Sequence, residues 1–235
     1  MPRDGASPAD PEVHDPKLAR RVAYTALTCA GLNALASVVS VPLLLPGLPK
    51  GGRSLDERLG FVTEHLLGWR VGWLLWHPAA LSLMTCLVAL GLLWRRSARL
   101  TVGVAAVCAG SGLIADLLAQ TTYLAVGRAW TSNEFLAAER QAGMFAGYLG
   151  NGLYSVAGVL VVWAGRAEIP RALVIMGVCA FGSGWVLSAA ALLQSPELHH
   201  WATLVVMGSV CPWFVLVGLW LLGRERAWRR RSWSS

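Results

Sequence analysis

Residues 100–126 read LTVGVAAVCAGSGLIADLLAQTTYLAV, with one acid, Asp116, and no basic side chain. A bilayer's hydrocarbon core needs roughly 20 consecutive apolar residues in a helix, so this stretch is long enough to span one. Five more runs of the same kind lie at residues 22–45, 71–94, 144–164, 172–193 and 198–222. Six spans and their loops fill most of the 235 residues and leave no room for a second, soluble domain. The expected fold is all-α: a polytopic integral membrane protein built as a six-transmembrane-helix bundle.

Composition agrees. Charged residues make up 14% of the chain, against about 25% in soluble domains. The net charge of +7 lies in loops and tails, which argues against nucleic acid as a partner. Eighteen of the twenty basic residues are Arg, and with abundant Ala, Leu and Gly this suits a GC-rich bacterial genome. The two lysines, Lys17 and Lys50, lie outside the spans, which excludes a retinal Schiff base. Cys29, Cys86, Cys108, Cys179 and Cys211 sit inside apolar runs without metal-ligand spacing, so they read as small buried hydrophobes. No phosphate-binding loop, His-Glu-x-x-His or intraspan carboxylate pair occurs. The sequence therefore assigns no catalytic residue, no metal ligand and no cofactor.

Lys and Arg counts set the orientation. The N-terminal tail, the second and fourth loops and the C-terminal tail hold fourteen basic residues, and the other three loops hold six. Both termini are expected in the cytoplasm of a bacterial inner (plasma) membrane. Three segments follow: a polar cytoplasmic tail at 1–20, the six-helix domain at 21–223 and a basic cytoplasmic tail at 224–235. Ala34-Leu35-Ala36 looks like a signal-peptidase site, but apolar sequence continues beyond it, so the first span is expected to be retained. In the last segment Arg224, Arg226, Arg229, Arg230 and Arg231 alternate with Trp228 and Trp233. That pattern suits anionic lipid headgroups, at about 1 kcal/mol per Arg.

The loops on the extracytoplasmic side are the elaborate ones. Ser54-Leu55-Asp56-Glu57 is a capping box, followed by Leu55, Leu59, Val62 and Leu66 at helical spacing. Thr131 to Glu134 starts another helix, which carries Phe135 and Leu136 into the fourth span. Both are expected as short extracytoplasmic amphipathic helices. Ser195-Pro196-Glu197 is a helix start within a tight turn.

Polar residues gather in the outer halves of the spans. Asp116 and Gln120 are four apart and Tyr123 follows at three, so all three share one helical face, which Gly112 continues inward. An unpaired carboxylate in hydrocarbon is costly, so Asp116 should face the bundle interior. His77, just before Pro78, is the ionisable group at similar depth. Tyr148, Asn151 and Tyr154 lie in the outer half of the fourth span. These seven residues form the expected ligand-binding or proton-linked site. His199 and His200 read as an interfacial pair, and Asn33 as roughly central. Gly143-x3-Gly147, Cys108-x3-Gly112 and Ala180-x3-Gly184 read as close helix-packing seams.

Six spans, a helical first loop and Trp69-Arg70 give an outline that resembles the rhomboid proteases. That resemblance implies a serine nucleophile at the start of the fourth span, where this chain has Gly150-Asn151-Gly152, so the activity is not carried over. A b-type haem is not expected either, since His77 has no second deep histidine. The functional expectation is a non-enzymatic membrane protein of sensor or accessory type. Its outward-facing polar pocket around Asp116 would bind a small molecule, lipid or partner helix. The alternatives are a small proton-coupled transporter or channel using Asp116, and an intramembrane lipid-modifying enzyme with Asp116 and His77 as acid and base. Expected partners are the lipid bilayer and either another membrane protein or a second copy of the chain.

Overall fold

The computed structural model describes residues 15–49 and 52–232. Residues 1–14 of the expected N-terminal tail, Lys50, and Trp233 in the expected headgroup-binding tail lie outside them. The described residues are helical, without a strand: α1 (Pro16–Leu43), α2 (Leu55–Glu64), α3 (Leu66–Leu93), α4 (Arg99–Leu124), α5 (Ser132–Ala142), a π-helical turn pair (Gly143–Gly150), α6 (Asn151–Gly165), α7 (Arg171–Leu192) and α8 (Pro196–Ser232). Six helical runs are long and apolar enough to cross a membrane: α1, α3, α4, α5 through α6, α7 and α8.

Their placement follows the expected spans within a few residues, with two extensions. The first helix begins at Pro16 because Asp15 caps it, accepting from the Lys17 amide at 2.9 Å. The last helix runs on through the basic segment to Ser232.

The long helices form a closed ring. Each packs on its chain neighbour in the order α1, α3, α4, α6, α7, α8, and α8 returns to α1. The buried face of α1 is Ala19, Ala23, Ala26, Ala30 and Ala36 with Val22, Cys29 and Asn33, at three- and four-residue spacing. The outward faces carry large apolar groups: Val38, Leu81, Val107, Ile114, Trp163, Ile175 and Leu219 are all exposed. Water-soluble proteins bury such side chains. Large apolar side chains facing outward, with small residues where helices approach closely, match helices packed in lipid, so the architecture is compatible with a multi-pass membrane protein.

Glycines set the closest approaches. A Cβ on Gly112 would lie 3.3 Å from both the Gly150 carbonyl and the Tyr154 ring, which is how the expected Gly112 seam joins α4 to α6. Gly147 meets Ala191, and Gly184 meets Ser155. Gly177 receives the indole of Trp213, whose Nε1 donates to the Leu173 carbonyl at 2.8 Å.

The first turn of α2 is built as the sequence indicates. The Ser54 amide and hydroxyl both donate to Glu57 Oε2 at 2.8 Å. These bonds hold the Glu57 carboxyl below its ordinary value. The matching box at Thr131 and Glu134 opens α5. Ser132 Oγ donates to Asp56 Oδ1 at 2.6 Å and ties the two helix starts together.

Two outcomes follow. Gly177→Ala would place its Cβ 2.6 Å from Trp213 Nε1. Alanine's helical advantage of about 0.5–1 kcal/mol is then outweighed by an overpacking cost of about 1–3 kcal/mol. Gly31→Ala meets nothing within 4 Å. Thermal unfolding in detergent is expected to show a lowered midpoint for the first and an unchanged or raised one for the second; equal midpoints would disprove the packing. For α2, a depressed carboxyl contributes stability at pH above the unfolded value and loses it as pH falls through the folded one. Hydrogen exchange at the Glu57 amide, corrected for intrinsic rate, is expected to lose protection below the ordinary glutamate range. Glu57→Gln is expected to abolish that pH dependence.

Candidate functional site

Ring closure leaves a cavity of about 200 Å³ lined from every long helix. Asn33 comes from α1, Trp76 from α3, Asp116 from α4, Asn151 and Tyr154 from α6, Phe181 from α7, and His199 from α8. Asp116 is half-buried and makes no hydrogen bond or ion pair with any described residue. Its surroundings are largely apolar or already engaged. Asn151 Nδ2 donates to the Gly147 carbonyl at 3.2 Å. Asn33 Nδ2 bridges the Cys29 carbonyl at 2.9 Å and the Ala79 carbonyl at 3.3 Å, tying α1 to α3. Trp76 Nε1 donates to Ser40 Oγ at 2.7 Å. The Tyr154 hydroxyl is buried in the cavity wall without a partner, as are Gln120 Oε1 and Ser188 Oγ elsewhere in the core. Buried polar atoms without partners are uncommon in folded proteins.

The expected site residues divide. Asp116, Asn151 and Tyr154 line this cavity together. Gln120 lies on the same face of α4 but is packed away, 2% exposed. Tyr123 lies further along α4, stacked on Trp73 with ring centroids 4.2 Å apart and edge-on to Trp69. His77 is not among the wall residues; its Nδ1 lies 3.2 Å from the Trp73 carbonyl of its own helix. Proline at 78 does not end α3. Tyr148 is exposed and lines neither this cavity nor the neighbouring one, because the π-helical segment changes the register of faces before α6 begins.

A second space, about 310 Å³, lies at the end of the ring that carries α2, α5 and the α7–α8 turn. It is walled by Arg58, Tyr123, Glu139, Arg140, Gln194 and Ser195, among others, and shares His199 with the central cavity. Arg58 and Glu139 form an ion pair between α2 and α5, and both are buried. The guanidinium also lies 5.8 Å from the Phe135 ring centre, while its Nε has no partner. Gln194 is held at φ 51°, the left-handed region, which costs a non-glycine residue roughly 1–2 kcal/mol.

Three of these features lay outside the expected site, and two left a signal. Arg58 sits three residues after Leu55 and four before Val62, within the apolar stripe of α2. Glu139 follows Phe135 by four on α5 in the same way. A charge on the buried face of a short helix signals a partner across the interface. His199 left none, because adjacent histidines at a helix start read equally well as surface groups.

No family model matches the chain, and no curated protein or solved structure is significantly similar to it. The site is therefore read from its own geometry.

Removing one member of a buried ion pair strands the other, at about 3–5 kcal/mol, whereas replacing both with apolar side chains is often near neutral. Arg58→Met is expected to lower the thermal midpoint strongly and the double variant Arg58→Met, Glu139→Met to recover most of it. Equal loss in both variants would mean the pair does not act as a unit.

Proposed function

We propose that this chain is a multi-pass protein of a bacterial inner membrane, both termini cytoplasmic, that binds a small molecule in the Asp116 cavity from the extracytoplasmic side. The observation that carries the reading is a carboxyl with no hydrogen bond or ion pair among the described residues, in a cavity walled by all six long helices. Keeping such a group among apolar helices costs free energy, so it is retained for something it binds. The cavity wall is mostly apolar, with Asp116, Asn151 and the Tyr154 hydroxyl as its polar points. That chemistry suits a small molecule with a donor or cationic end and an apolar body. The fourteen-to-six distribution of basic residues supports the orientation. In this reading α2 and α5 lie at the outer interface, and the basic end of α8 meets anionic headgroups.

The enzyme reading is weaker. Acid–base catalysis needs two groups within hydrogen-bond reach of the reacting atoms, and His77 does not line the cavity. A proton-coupled transporter or channel draws on the same carboxyl. It also requires the opposite half of the bundle to open, and that half is filled by Leu90, Trp94, Val161, Trp213 and Phe214.

Asp116→Asn keeps the shape and removes the charge. The variant is expected to fold and to unfold at or above the wild-type temperature in detergent. A thermal-shift screen of small primary amines with apolar bodies is expected to find compounds that stabilise wild type by about 2.7 kcal/mol at 100 times Kd and leave Asp116→Asn unmoved. A variant destabilised by more than about 2 kcal/mol would make Asp116 a structural hydrogen-bonding group and end this reading.

A further inference from the structure

The outer chamber carries chemistry of the opposite sign. Arg58 is 6% exposed, yet it lines the chamber and its buried Nε–H has no acceptor. Glu139 takes the Nη1 side of the guanidinium. The other edge of that planar group carries Nε–H beside Nη2, which is the fork that pairs with two oxygens of one oxyanion. A buried donor of this kind is costly to leave unmade.

Charge points the same way. Glu139 alone would repel an anion, but Arg58 neutralises it, and Arg140, the next residue of α5, adds a second guanidinium at the rim. The three groups sum to one positive charge facing the chamber. The rest of the wall is mainly apolar, with Leu136, Met144 and Ala191 among its members. A bare ion would leave that surface unused, whereas an acid with an apolar body covers it.

We propose that the outer chamber is a second binding site, separate from the Asp116 cavity, for an oxyanion on an apolar body, with Arg58 gripping the oxyanion through its Nε edge and Arg140 adding charge. The ligand chemistry is a carboxylate or phosphate monoanion with a short aliphatic or aromatic portion. Two sources supply it: a small free acid, or the headgroup of an anionic lipid. The chamber shares His199 with the central cavity, so an occupant lies next to the other site without using Asp116.

The test uses the full chain in nanodiscs of zwitterionic lipid, titrated calorimetrically with hexanoate, and with hexanol as the control. Saturable binding of hexanoate alone is expected. Arg58→Lys keeps the charge and loses the fork, and is expected to bind at least about tenfold more weakly. Arg140→Gln removes the rim charge without touching the buried pair, so it is expected to fold as wild type and to bind hexanoate several-fold more weakly, which keeps the test decisive if Arg58→Lys does not fold. Asp116→Asn is expected to bind hexanoate as wild type does, so this site stands or falls apart from the proposal for the central cavity. In nanodiscs containing phosphatidylglycerol, loss of hexanoate binding by competition would identify a lipid headgroup as the occupant, and unchanged binding a free acid. No saturable binding in zwitterionic nanodiscs, equal binding of hexanol, or unchanged binding by Arg140→Gln would overturn the proposal.

Discussion

The contact between the first and last helices makes this molecule a container rather than a curved sheet of helices. Where α8 meets α1, a Cβ on Gly218 would come within 2.9 Å of Leu27 and 3.0 Å of the Ala23 carbonyl, so the backbones lie close. That approach closes the ring. In lipid there is little hydrophobic gain from bringing helices together, and close packing of small residues supplies much of the attraction. Without the seam, Asn33 on α1 and Thr203 on α8 would lose the wall they share. The cavity around Asp116 depends on it, because an open arc of six helices would leave the carboxyl facing hydrocarbon.

Closure also explains why the two halves of the bundle differ. Towards the α3–α4 and α6–α7 turns the interior is filled by indole and phenyl rings seated on glycines. Trp94 lies against Gly165, Phe181 against Gly158, and Trp213 against Gly177. Towards the other end, the aromatic groups stand to one side. Trp69, Trp73 and Tyr123 form a stack between α3 and α4, and Trp69 Nε1 donates to the Tyr123 carbonyl at 2.9 Å. Space remains between that stack and α7 and α8, and polar side chains line it. Rings on glycine shelves fill one half, and the ion pair between two short helices organises the other.

The spans were legible because twenty-residue apolar runs have few other uses, and Asp116 was legible because acids inside them are rare. Gly112 was legible as a point of close approach, and the structure seats Gly150 and Tyr154 there. The grouping of site residues was only half legible. Helical spacing puts Asp116, Gln120 and Tyr123 on one face, but that face is long enough to meet the cavity, the core and the outer chamber in turn. Spacing gives direction around a helix, and burial along it depends on neighbours. Tyr148 was misplaced for a different reason: the π-helical stretch Gly143–Gly150 breaks the 3.6-residue period that any face assignment assumes. His77 was expected at the depth of Asp116, but the face of α3 that reaches the cavity carries Trp76, Ala80 and Leu83, and the rotation of a helix about its axis is not legible from depth alone.

The buried pair of Arg58 and Glu139 bears on how the two compartments relate. A pair of this kind contributes little net stability once the desolvation of both charges is counted, so stability alone is a poor reason to have it. What it supplies is geometry. It fixes α2 against α5, and the bond from Ser132 to Asp56 repeats the link at the helix starts. Val62, Trp69 and Phe135 are fully buried beneath. The chamber wall that carries the charges is thereby held by both short helices, while its floor reaches His199 and the central cavity. Each space is mainly apolar with a few polar points, Arg58, Glu139 and Arg140 in one and Asp116 in the other, so the two differ in the sign of their charge rather than in polarity.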